Sequence, residues 1–169
     1  MIEPLTLPQP FPTVDDVSDD AYSLRVISPA YASSTGELNA VLQYIYHSFF
    51  FGSYGYKDVA EKLVSIAVAE MLHLNLLGKT ILALGAAPVY CRCPPACFDF
   101  YSAKYVSYSR SLQFMLEDDI IGEKQAICQY DKMLKRLKNT QVKEIIARIR
   151  SDEILHLETL DSILSKFKG

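Results

Sequence analysis

Apolar residues recur three and four apart along most of this chain, the period of a helix with one buried face. The first such run reaches from about Asp20 to Phe51, and "SDD" (Ser18 to Asp20) offers it an N-cap and early acids. Pro29 lies inside this run and is expected to interrupt or kink it. "GSYGY" (Gly52 to Tyr56) reads as a short turn, and a second helix follows from about Lys57 to Leu84, with Gly85 and Pro88 as stop signals. A third is predicted from about Ser107 to Lys138. Asn139 and Thr140 break it, and a fourth runs to about Phe167.

Between the second and third helices, "VYCRCPPACFDFYSAKY" shows no helical period. A connection of about 20 residues is long for a compact domain. It suits a chain that must return along the length of a bundle. The layout therefore predicts an all-α fold: an antiparallel four-helix bundle made of two hairpins joined by a long crossover between the second and third helices. No alternating β pattern competes. Residues 1–18, with Pro4, Pro8, Pro10 and Pro12, are expected to form an extended arm over the surface, and residues 19–169 the bundle domain.

Composition narrows the partners. The 169 residues are enough for one domain with a substantial core, and at 50% hydrophobic and 22% charged the chain is foldable. A net charge of −3, with acids and bases mixed, gives no electrostatic case for nucleic acid or an anionic membrane. No stretch approaches about 18 uninterrupted apolar residues, so no membrane span is expected. The N-terminus lacks the basic start and apolar core of a secretory signal, and the 4 cysteines form no evident disulfide framework. A cytoplasmic location is the expectation.

Against this background two polar side chains stand out in the second helix. "EMLHLNLL" places Glu70 and His73 among leucines, and the fourth helix repeats the pattern as "EILHLETL", with Glu153 and His156. The first and third helices carry a matched pair of their own: "ELNAVLQY" from Glu37 and "EKQAICQY" from Glu123, both Glu-x-x-Ala-x-x-Gln-Tyr. The halves thus read as structural repeats about a pseudo-two-fold axis. Counted from the predicted turns, all four glutamates lie about 13–16 residues along their helices, which is one level of the bundle at ~1.5 Å per residue. Residues three apart share a helix face, so each Glu projects with its His. Four carboxylates buried together cost several kcal/mol per ion in lost hydration. Divalent cations among them remove that objection. Four carboxylates and two imidazoles are the ligands of two metals, each with one His, one terminal Glu and two shared carboxylates.

This constellation resembles the ferritin-like superfamily of di-iron or di-manganese carboxylate proteins. "TGELNAVLQY" and "AVAEMLHLNLLGKTI" look closest to its bacterial branch of bacterioferritin, rubrerythrin and manganese-catalase-like proteins. The resemblance spans about Asp20 to Phe167. It implies Glu37 and Glu123 as terminal ligands, Glu70 and Glu153 as bridges, and His73 and His156 on one metal each, iron or manganese. The chain has no rubredoxin-like tail, and Ala126 stands where rubrerythrins carry an additional carboxylate. It also ends with the fourth helix, where cage-forming ferritins continue into a fifth.

Related sites place an acid at Asp152 to accept a hydrogen bond from the opposite histidine, here His73; the alternative is a capping or surface Asp. The matching position before Glu70 is Ala69, so unequal outer shells are expected. Tyr44 and Tyr130, two turns beyond Glu37 and Glu123, hydrogen-bond ligands, stop stray radicals, or are ordinary core tyrosines with a satisfied hydroxyl. His47, without a counterpart, is expected to be structural or exposed. Glu117, Asp118 and Asp119 read as a solvated acidic stretch, or as a guide for cations. Cys91, Cys93 and Cys97 offer thiols or a soft-metal site. The resemblance implies an oxidoreductase acting on peroxide or dioxygen, in the manner of a peroxidase or catalase. The alternatives are a ferroxidase or iron-binding protein of bacterioferritin type and a non-enzymatic metal-binding or structural coat or shell protein. A homo-oligomer, dimer or higher, is the expected assembly.

Overall fold

The structure, a computed structural model, describes residues 2–94 and 98–167. Among these the helices are α1 (Ala21–Ala32), α2 (Glu37–Ser53), α3 (Lys57–Ala83), α4 (Leu112–Arg136) and α5 (Thr140–Phe167), with a single 3-10 turn at Ala103–Tyr105. The hairpins α2/α3 and α4/α5 pair into the four-helix bundle, and α1 packs against α2, α3 and α4. This is the all-α architecture that the periodicity predicts.

The expected first helix is two helices, and Pro29 is not where it breaks. Pro29 sits inside α1, which continues to Ala32. The break falls at Ser33–Gly36, where Thr35 N–H turns back onto Ser33 Oγ at 3.2 Å. A Cβ on Gly36 would lie 2.7 Å from the Ala30 carbonyl oxygen, so only glycine lets the chain pass α1 there. Glu37 is thereby the first residue of α2, where the helix dipole favours a carboxylate.

α3 ends as its sequence signals. Gly85 takes φ 90°, and the bonds Ala86 N–H to Ile81 O and Gly85 N–H to Leu82 O close a Schellman cap. By composition α3 is also long and apolar enough to cross a membrane, but Leu63, Ile66, Leu77 and Ile81 are buried in the bundle. α4 begins at Leu112, later than expected, because Ser107 is held outside it by bonds to Gln43 and His47. The crossover is anchored by an antiparallel bridge between Cys91 and Phe100 and by Tyr31 stacked on Tyr90 at 5.6 Å. Cys91 is buried, while Cys93 and Cys128 are exposed; Cys97 lies outside the described residues.

The core has two apolar clusters with a polar layer between them. Ile27, Leu77, Ile81, Ile145 and Ile149 belong to one cluster, and Phe51, Leu63, Ile66, Leu116 and Leu160 to the other. On α3 the change occurs at Glu70 and His73, and on α5 at Asp152 to His156. The arm does more than run over the surface. Leu5 N–H donates to Ser65 O on α3, Arg148 on α5 donates to Leu7 O and Gln9 O, and Leu5 and Phe11 each pack on a different cluster. It fills the groove between α3 and α5.

Candidate metal centre

The structure brings Glu37, Glu70, His73, Glu123, Glu153 and His156 together in the polar layer, all buried. Their ligand atoms form two groups, each within 4.8 Å: Glu37, Glu70, His73 and Glu153, and Glu70, Glu123, Glu153 and His156. Glu70 and Glu153 belong to both. The imidazole rings are 5.9 Å apart between centroids. His73 Nδ1 lies 2.9 Å from Glu70, 3.2 Å from Glu153 and 3.6 Å from Glu37. His156 Nδ1 lies 3.0 Å from Glu70, 3.7 Å from Glu123 and 3.8 Å from Glu153.

The outer ring nitrogens decide what the inner ones can do. His73 Nε2 is 3.1 Å from Asp152 Oδ2, and His156 Nε2 is 2.8 Å from the Leu5 carbonyl oxygen. Both partners only accept, so each Nε2 carries the hydrogen. Each neutral ring then points an Nδ1 lone pair at carboxylate oxygens, which are acceptors themselves. That arrangement demands positive charge, either a proton on Nδ1 or a metal ion. Glu70 Oε1, Glu153 Oε1 and His156 Nδ1 are buried without an aligned hydrogen-bond partner. Such orphaned atoms on a shared set of hard oxygen and imidazole donors fit a pair of divalent first-row metals.

Electrostatics agree. Burial, then the charges of Glu70 and Glu153, push the Glu37 carboxyl well above the ordinary range, and burial with Glu153 and Glu70 does the same to Glu123. Burial also opposes ionisation of Glu70, but its hydrogen bond with Glu37 and the His156 charge hold it well below its usual value. Glu153 is lowered against burial and the Glu70 charge by bonds from His156 and His73. Both imidazoles keep a proton tightly despite burial. His73 does so chiefly through Asp152 and Glu153, and His156, beside the Glu70 charge, is raised to about 10. The cluster thus holds protons where it holds no other positive charge.

Tyr44 and Tyr130 cross over to support the outer carboxylates: Tyr44 Oη donates to Glu123, and Tyr130 Oη to Glu37. Beyond them a cavity of about 210 Å³ reaches Glu37, Glu123 and Glu153 between α2 and α4, with Ala126, Gln43 and Asp118 on its walls. The acidic stretch here is not simply solvated. Asp119 is buried and holds His47 Nδ1 at 2.9 Å through both oxygens, while His47 Nε2 reaches Ser107 O at 3.0 Å. His47 is therefore structural, not exposed. Burial pushes Asp119 up, and against its own burial the bond to Asp119 pushes His47 up, so the pair keeps a proton between them. Asp119 lies four residues before Glu123, on the same face; that spacing was the available signal. Among the described residues, no cluster with metal-ligand spacing includes a cysteine.

The model of the ferritin-like domain family matches residues 33–169. Among solved structures the chain is similar to a manganese catalase from Anabaena, with TM-score 0.80 and 21% identity over 96% of this chain and 80% of that one. It is similar also to a bacterioferritin from Desulfovibrio desulfuricans, described with a diiron site, with TM-score 0.75 and 24% identity over 88% and 81%. For a Rhodobacter capsulatus bacterioferritin the values are 0.74 and 22% over 89% and 88%. No curated protein matches the chain. At these identities the structural likeness concerns the fold.

Proposed function

Because the chain belongs to the ferritin-like domain family, we propose that it is a dinuclear-metal oxidoreductase that acts on hydrogen peroxide. The observation that carries this reading is the buried layer of four carboxylates and two imidazoles whose Nδ1 atoms face one another's carboxylates. Glu37 and His73 would hold one ion and Glu123 and His156 the other, with Glu70 and Glu153 shared. Once bound, two adjacent iron or manganese ions supply a two-electron redox couple.

The protein's own part is positional. The apolar clusters above and below the layer exclude bulk water, which strengthens every charge interaction inside it. The tyrosine hydroxyls orient Glu37 and Glu123. The cavity between α2 and α4 gives a small molecule such as peroxide room beside Glu37, Glu123 and Glu153, and the His47–Asp119 pair holds a proton at its wall. Similarity to the Anabaena manganese catalase supports peroxide as substrate.

A second reading has its own observation. Asp118, Asp119 and Glu123 line the cavity and would draw cations inward, which suits oxidation of ferrous iron as substrate. Protein purified without added metal is expected to carry two manganese or iron ions per chain by elemental analysis. Oxygen release from peroxide without a reductant supports the catalase form; ferrous oxidation with retained ferric mineral supports the second reading. A chain that takes up neither metal on reconstitution would falsify both.

A further inference from the structure

The two halves of the bundle solve one problem differently. His73 has Asp152 behind it, but the position matching Asp152 in the other half is Ala69, which offers His156 no side-chain acceptor. The arm supplies one instead: Leu5 O stands 2.8 Å from His156 Nε2. Leu5 is itself fixed, since its N–H donates to Ser65 O at 3.0 Å and Ser65 Oγ donates to Glu3 O at 2.6 Å.

Arg148 ties this arm to the other histidine. Its Nη2 donates to Leu7 O and Gln9 O, both at 2.9 Å, and its Nη1 lies 2.6 Å from Asp152 Oδ1. The guanidinium covers the Phe11 ring at 4.4 Å, and that ring meets His73 edge-on at 5.8 Å. Asp152 Oδ1 also accepts Leu7 N–H at 2.8 Å. One side chain thus touches the outer partner of His73 directly and that of His156 through the strand it clasps. A planar fork with several donors and a stacking face can do this; an ammonium cannot.

We propose that the N-terminal arm is an integral part of the metal centre and that Arg148 is a positioning residue for both histidines, a reading that rests on the dinuclear site above. With Leu5 O and Asp152 in place, both Nε2 hydrogens face outward and both Nδ1 lone pairs face the ligand layer. Without the arm, His156 opens onto an empty groove, where its ring is free to turn and to exchange tautomers.

The test is a Co(II) titration of full-length protein, read by visible absorption and by metal stoichiometry, with circular dichroism as the check on folding. Wild-type protein is expected to take up two ions. Asp152→Ala should weaken the ion beside His73, Leu5→Gly with Ser65→Ala the ion beside His156, and Arg148→Leu both. Each loss is expected on the order of 10–100-fold, the usual cost of an outer-shell partner. Arg148→Lys should restore only part. Arg148→Leu protein that binds both ions with wild-type affinity and spectrum overturns the proposal. Should that variant not fold, wild-type binding at both positions in Leu5→Gly/Ser65→Ala protein overturns it equally. If wild-type protein itself takes up no pair of ions, the dinuclear reading falls and this inference with it, which tells the two failures apart.

Discussion

The α3/α5 flank of the centre and the α2/α4 flank each contribute two glutamates, yet one is sealed and the other open. Behind Glu70, His73, Glu153 and His156 lie Asp152, Arg148 and the arm, so that each imidazole has a fixed outer partner. Beside Glu37 and Glu123 lies a cavity of about 210 Å³, and their support is a pair of tyrosine hydroxyls. Under the proposed dinuclear reading, the difference is a division of labour. Histidines need one tautomer and one orientation, which acceptors on a packed strand enforce. Carboxylates beside a cavity need room to change binding mode, which a hydroxyl allows.

Removing the carboxylates common to both groups erases the comparison altogether. Glu70→Ala with Glu153→Ala is expected to take bound metal from two ions per chain to none, measured by elemental analysis of reconstituted protein. Helical circular dichroism checks that the variant still folds, since the change also leaves His73 and His156 without carboxylates that hold their protons. Unchanged metal content would sink the site assignment.

Next in size is a break confined to the open flank. Asp119→Asn leaves the buried His47 without its counter-charge, and breaking such a pair costs about 3–5 kcal/mol. For a chain of this length that is a fall in Tm of roughly 6–20 °C, with metal stoichiometry held at two. A shift under about 2 °C would mean that the pair is dispensable.

Acid should weaken binding of both ions. His156 gives up its proton only near pH 10, and His73 is also raised, so each ion must displace at least one proton to bind. The sign follows: affinity falls as pH falls, by at least about tenfold per unit for each ion, or ~1.4 kcal/mol. Titrations between pH 5.5 and 7.5 check the slope; a flat profile would show that the rings carry no such proton.

Much of this was legible beforehand, and the gaps have physical reasons. Helical period and turn residues predict the bundle, and two repeated spacings mark the six positions that the layer gathers. The sequence pattern misplaces the break before α2 because Pro29 is conspicuous, whereas the close approach of Gly36 to Ala30 O is a tertiary contact. Arg148, four residues before Asp152, and Asp119, four before Glu123, were open to the same-face argument. The role of Leu5 was not, because a backbone carbonyl has no residue signature.

Filling the cavity tests the open flank by itself. Ala126→Leu puts three more carbons on its wall, one turn beyond Glu123, and leaves every candidate ligand in place. Bound metal should stay at two ions, while kcat/KM for peroxide falls at least about tenfold, equivalent to ~1.4 kcal/mol. Unchanged kcat/KM would place substrate entry elsewhere.

The smallest effect addresses the hydroxyls. Tyr130→Phe removes the donor to Glu37, and Tyr44→Phe the donor to Glu123, each within a buried layer. A lost hydrogen bond to a charged group costs about 1.5–3 kcal/mol, but Glu37 and Glu123 are also the carboxyls that burial pushes towards the neutral form. The loss should therefore sit nearer the ~1 kcal/mol of a neutral bond, less than tenfold in metal affinity. Since the two tyrosines are related by the pseudo-two-fold axis, the two variants should lose equally, each at its own ion. On the sealed flank the related partners, a side chain and a strand, are chemically unlike. Equal losses in the tyrosine variants beside unequal losses for Asp152→Ala and Leu5→Gly/Ser65→Ala would locate the asymmetry of the centre in the arm; unequal tyrosine losses would move it into the cavity.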